Sequence, residues 1–169
     1  APQGTEIHTI QPIGKNHVVY VLNAKPAKVI VMKISNQKIV HEFVLPYDEK
    51  GSVHGQFRNA RLTSKGTLLV SNMAMGFVAE YNHRGKELNR WELFGPWSAS
   101  ELPDGNILMV GRKGPVKEIK RDGTVVWEIN AVDYGLTNPQ KAYRLANGNT
   151  VITNWFNEFF TCLRFIIVY

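Results

Sequence analysis

Three segments of the chain, RLTSKGTLLVSN (61–72), ELPDGNILMVGR (101–112) and RLANGNTVITNW (144–155), share one pattern: a leucine, a turn glycine and an apolar run. Their glycines, Gly66, Gly105 and Gly148, stand 39 and 43 residues apart. The sequence after each run repeats as well. GFVAEYNHRGKELNRWEL (76–93) aligns with GPVKEIKRDGTVVWEIN (114–130) at a constant offset of 38, which lays Val78 on Val116 and Gly85 on Gly123. A weaker copy covers 13–45. A unit of this size cannot bury a core alone, so successive units must stack on one another. A period near forty residues, made of short strands and polar turns, is that of a β-propeller blade.

Local chemistry supports the strand reading. Asp104-Gly105 and Asp122-Gly123 supply the positive φ that a two-residue hairpin turn needs. Asn106–Val110 is almost continuously apolar, as expected of a strand covered on both faces, whereas 116–120 and 124–129 read as half-exposed. Trp91 and Trp127 recur late in the outer hairpin, where a blade would bury them against its neighbour. Glu80, Glu118 and Glu128 fall at strand positions that read as outward and solvated.

Residues 102–128, LPDGNILMVGRKGPVKEIKRDGTVVWE, resemble the PQQ-like and arylsulfotransferase-like β-propeller repeats, in which Leu-Pro-Asp/Asn-Gly-Asn and an apolar strand precede Val-x-Glu-Ile-x-x-Asp-Gly-x-x-x-Trp. The resemblance implies an all-β fold, a propeller or partial propeller of about four blades, each a four-stranded antiparallel sheet. The blades would span roughly 10–50, 56–94, 96–132 and 139–158 within one repeat domain, 1–158. Proteins of this kind are commonly exported, which with an opening Ala-Pro-Gln-Gly lacking an initiator Met implies a periplasmic or secreted setting. They also close with more blades than 169 residues encode, so the ring is expected to be completed by further sequence or by a homodimeric second copy. The apolar run 159–169 is expected to be either a closing strand on the first blade or a non-native ending, and with Arg164 inside it is too short to span a membrane.

Such a fold hosts many activities, so function must be read from individual residues. Twenty Lys and Arg against fourteen Asp and Glu give a formal charge of +6, which favours anionic partners. The basic residues are scattered through turns without a nucleic-acid motif, so no nucleic-acid partner is expected. Five histidines lack metal-ligand spacing, and Cys162 stands alone, so neither a metal nor a disulfide is expected. No phosphate loop, dinucleotide fingerprint or nucleophile elbow is present, and no cofactor is expected. His17 and His83 read as surface turn residues.

Ligands of propellers meet the ends of the central channel, lined by the inner strand of each blade and the loop before it. That rule selects His54, Arg61, Trp97 and Arg144 before the apolar runs, and Asn72, Arg112, Asn154 and Trp155 at or beyond their ends. A ring of Asn and Arg with Trp suits a polar or anionic small molecule or glycan, bound without catalysis. The competing expectation is an enzyme with channel chemistry, sulfotransfer or polysaccharide cleavage, with His54 and Arg144 as the first residues to test.

Overall fold

The computed structural model describes residues 3–155 and 164–168 and, among them, is built almost wholly of antiparallel β-sheet. Four sheets follow one another along the chain. The first holds β1 (Glu6–Ile13), β2 (His17–Asn23), β3 (Lys28–Lys33) and β4 (Ile39–Val44); the second β5 (Phe57–Leu62), β6 (Leu68–Asn72), β7 (Phe77–Tyr81) and β8 (Glu87–Glu92). The third holds β9 (Pro96–Glu101), β10 (Ile107–Gly111), β11 (Pro115–Ile119) and β12 (Val125–Asn130); the fourth β13 (Pro139–Arg144), β14 (Thr150–Asn154) and β15 (Arg164–Val168). Short 3-10 turns at Val53–Gly55 and Ala131–Tyr134 lie in the connections before the second and fourth sheets.

The sheets stack as propeller blades, with β1 packed on β5, β5 on β9 and β9 on β13. These first strands form the innermost layer. The apolar runs β6, β10 and β14, read from sequence as innermost, are the second strand of each blade. Being covered on both faces, β6 and β10 are buried at every position, and alternate residues serve opposite neighbours. Leu68 packs towards the first sheet with Val19, Val29 and Phe57, while Leu69 packs towards the third with Val78, Ile107 and Met109. Leu108, Val110 and Val116 then meet Ala142, Ile152 and Val168 at the last join.

The hairpins turn on glycine, by a slightly longer loop than Asp-Gly pairs alone imply. At Leu102–Asn106 the Gly105 N–H reaches the Leu102 carbonyl and the Leu102 N–H reaches Asn106, so three residues are enclosed and only Gly105 (φ +88°) is left-handed. The same two bonds recur around Gly66, Gly85, Gly123 and Gly148. This is the type I turn with a following αL residue.

Two of the recurring glutamates are not solvated. Glu80 is 2% exposed, 3.2 Å from Arg121, which also meets Glu101 at 2.7 Å; Glu118 is 5% exposed and meets Arg144 at 2.8 Å. Burial is possible because each carboxylate is gripped by an arginine of the following sheet. Only Glu128 stays exposed. Trp91 is buried and donates its indole N–H to the Arg121 carbonyl, and Trp127 packs at the join of the third and fourth sheets. His17 opens β2 half-buried instead of sitting in the turn, which is made by Gly14 (φ +57°).

Near the C-terminus, Arg164–Val168 pairs antiparallel with β14, Val168 opposite Thr150. It is therefore a third strand of the fourth sheet and not a strand added to the first. The rest of the 159–169 stretch lies outside the described residues. Ile10, Ile39 and Val44 on the first sheet, and Tyr143 and Ile167 on the fourth, are exposed apolar groups on the two end blades of the stack.

Candidate functional site

The starts of the four inner strands converge at one end of the channel, and each carries a β-bulge there. In β1, His8 and Thr9 stand between Ile7 and Ile10, whose partners Leu22 and Tyr20 have only Val21 between them. In β5 the unpaired residue is Arg58, between Phe57 opposite Asn72 and Asn59 opposite Ser71. In β9 it is Trp97, between Pro96 opposite Gly111 and Ser98 opposite Val110; in β13 it is Gln140, between Pro139 and Lys141. An extra residue in one strand breaks the ladder and re-aims a side chain. His8, Arg58, Trp97 and Gln140 thereby all line one trough of about 500 Å³, together with His54, Asn59 and Lys141. It continues into a second cavity of about 530 Å³, which adds Ser52, Met73, Arg112 and Trp155.

His54 is held by the 3-10 turn, whose Ser52 hydroxyl accepts the Gly55 N–H at 3.1 Å. Its Nδ1 lies 2.8 Å from Glu6 Oε2, and His8 Nε2 lies 2.6 Å from the same oxygen. Arg58 Nη1 donates to His8 Nδ1 at 2.8 Å. An arginine only donates, so His8 accepts at Nδ1 and carries its hydrogen on Nε2, towards Glu6. The two imidazoles pull the Glu6 carboxyl below its ordinary value, His8 most strongly and then His54. The ligand atoms of Glu6, His8 and His54 lie within 4.8 Å of one another, a spacing a metal could use. A metal on His8 Nε2 would need the hydrogen there moved to the nitrogen that Arg58 already fills, so the trio fits a hydrogen-bonded network better than a metal centre.

Arg58 dominates the electrostatics of the trough. Its guanidinium carbon stands 4.6 Å from the centre of the Trp97 ring, and its Nε is buried without a hydrogen-bond partner among the described residues. Burial lowers its pKa; Glu6 opposes that shift and the nearby Arg112 charge adds to it. The Trp97 indole nitrogen and Asn59 Oδ1 are likewise buried and unpartnered. Arg112 and Lys141 add two further cations to the walls, and Trp155, 50% exposed, an open aromatic face.

Of the residues selected from sequence, His54, Trp97, Arg112 and Trp155 meet in this trough. The others are placed elsewhere. Asn72 is fully buried, donating to the Pro46 carbonyl and accepting the Met75 N–H. Asn154, equally buried, accepts the Asn138 N–H. Arg61 is bonded to Thr9 Oγ1 and the Ala60 carbonyl, and Arg144 is spent on Glu118 beside Trp127. His54 thus lines the trough, whereas Arg144, the other residue singled out for a channel enzyme, is bonded to Glu118. Glu6, His8, Arg58, Gln140 and Lys141 carry no signal in the sequence, because the polar inner strands read there as loops.

No protein-family model and no curated protein matches the chain. Solved structures do resemble it in fold. A protein of unknown function from Bacteroides caccae superposes with a TM-score of 0.77 at 23% identity, over 93% of this chain and 59% of that one. Virginiamycin B lyase from Staphylococcus aureus gives 0.72 at 17% identity, over 92% of this chain and 51% of the lyase. The WD40 β-propeller domain of Doa1 gives 0.67 at 13%, over 87% and 47%. The fold is therefore a partial β-propeller, and the chain spans about half the length of the propellers it resembles.

Proposed function

We propose that the chain is a binding module whose trough takes a polar, anionic ligand, with an acidic glycan the best fit. The observation that carries this reading is the set of four bulges, which turn His8, Arg58, Trp97 and Gln140 into one cavity. Bulges that turn a different side chain from each blade into one shared cavity support a ligand site there. Arg58 supplies the charge: it is partly desolvated, no carboxylate neutralises it directly, and a ligand carboxylate or sulfate satisfies its unused donors. Trp155 offers an open face for a sugar ring, Trp97 backs the Arg58 guanidinium, and Gln140 and Asn59 offer hydrogen bonds to hydroxyls. Calorimetric titration with an oligogalacturonate, beside the neutral galactose oligomer of equal length, tests it. The acidic oligomer is expected to bind and Arg58→Gln to weaken it at least tenfold; equal affinity for both oligomers, or an unaffected variant, overturns the reading.

One feature favours a second reading, an enzyme acting on that same ligand. His54 gives its Nδ1 side to Glu6 and its side chain is 66% exposed, so its Nε2 is placed as a general base oriented by a carboxylate. Mass spectrometry of the incubated oligomer separates the two readings: shortened products abolished by His54→Ala establish the enzyme, and an intact oligomer that still binds that variant establishes the module.

A further inference from the structure

The three joins between sheets are not equivalent, and the difference leaves a second cavity. At the second join, Glu80 sits opposite Leu69 and Asn89 and is held by Thr67, Asn89 and Arg121. At the third, Glu118 sits opposite Leu108 and Trp127 and is held by Asn106 and Arg144. Register gives the corresponding position at the first join. Val31 lies opposite Val19 and His41, on the face that meets the second sheet, so it stands where the other two sheets carry the glutamate. His17, two residues before Val19, takes the place of Thr67, and His41 that of Asn89. His83, two residues before Gly85 as Arg121 is before Gly123, takes the place of the arginine. The first join thus carries no carboxylate at this position and has three of the chain's five histidines at the surrounding ones.

What remains there is a cavity of about 240 Å³, walled by Val19, Val29, Val31, Phe43, Leu62 and Leu68 with His41 and His83 among its lining residues. Its neighbour Tyr81 has its hydroxyl engaged with Glu87 at 3.2 Å. Apolar cavities of about 150 Å³ take up benzene, so this one accommodates a ring or short chain. The exposed His41 and His83 imidazoles, with the Asn82 side-chain amide beside them, are polar donors at its rim, and the two histidines occupy positions from which the other joins hold a carboxylate.

We propose that this join is a binding site for a small monocarboxylate with a compact apolar body. The body fills the valine-lined cavity, and the carboxylate replaces the missing glutamate between His41 and His83. This site is separate from the channel trough and does not depend on the reading given for it. The probe is 3-phenylpropanoate, followed by methyl and backbone NMR shifts, with 3-phenylpropanamide as the uncharged control. Saturable shifts of Val19, Val29, Val31, Leu62 and Leu68 are expected, with the acid binding at least tenfold tighter than the amide. The pair Val31→Glu with His83→Arg rebuilds the lock of the other joins and should abolish binding while the spectrum stays folded. His41→Ala with His83→Ala, which leaves the apolar walls intact, should bring the acid down to the affinity of the amide. Absence of saturable shifts in the wild-type protein, shifts centred on Arg58 and Trp97 instead, or an acid preference that survives loss of both histidines overturns the proposal.

Discussion

Single residues decide how the blades are held. The Glu80 carboxylate is buried against Thr67, Asn89 and Arg121, so truncating it leaves the Arg121 cation short of a partner, while truncating Arg121 leaves a buried anion. Glu80→Ala is predicted to cost about 3 kcal/mol in urea unfolding, the low end for breaking a buried pair because Glu101 still meets Arg121. Burial alone would push the Glu80 carboxyl up; the bonds from Thr67, Arg121 and Asn89 outweigh it and hold it below the ordinary 4.5. Its folded value lies under its unfolded one, so its contribution is complete above pH 4.5 and is lost as pH falls through the folded value. Unfolding midpoints measured from pH 6 down to 2.5 should therefore fall less steeply in the Glu80→Ala protein than in the wild type. Gly85 is a second such residue. It holds φ +79°, and a Cβ there would come within 2.7 Å of the Phe43 ring, so Gly85→Ala is predicted to destabilise by more than about 1 kcal/mol.

At the scale of elements, turns and second strands were legible in the sequence and first strands were not. A turn glycine acts through its own φ, and a strand covered on both faces writes itself as a run such as Ile107–Val110. An inner strand such as Phe57–Leu62 packs on a neighbouring blade by each face, borders the channel by its edge and has an extra residue at its start, so Phe57, Arg58 and Asn59 follow no period of two. Its polar residues therefore read as loop, and Glu6, His8 and Arg58 stayed hidden. The partners of Glu80 and Glu118 were equally invisible, since Arg121 lies 41 residues from Glu80 and Arg144 26 residues from Glu118. Deleting residue 58 removes the bulge and joins Phe57 directly to Asn59. Phe57 then stays opposite Asn72 and Asn59 opposite Ser71, so the fully buried Phe57 keeps its core face and the deletion should cost only about 1 kcal/mol, with Arg58→Gln, which keeps the bulge, costing less. Denaturant titration of the two variants checks the contrast.

The whole molecule is an arc of four blades whose three joins are packed and whose end blades present apolar groups. Substitution on those end faces acts differently from substitution in a join. Ile10→Lys and Tyr143→Lys, 56% and 50% exposed, are predicted to move unfolding free energy by less than about 0.5 kcal/mol and to lower any self-association seen by light scattering. Leu69→Ala, fully buried at the second join, should cost about 2–5 kcal/mol. The formal charge of +6 adds a general attraction for anions, but the trough is where cations and aromatic faces are gathered by one repeated feature of the backbone. The most direct measurement is a ¹H–¹⁵N titration with an oligogalacturonate, read on the four tryptophan indole signals. Trp97 and Trp155 line the trough, whereas Trp91 and Trp127 are packed at the joins. Saturable movement of the first two with the second two still is the predicted result; no movement, or movement led by Trp91 or Trp127, contradicts the assignment of the trough as the binding site.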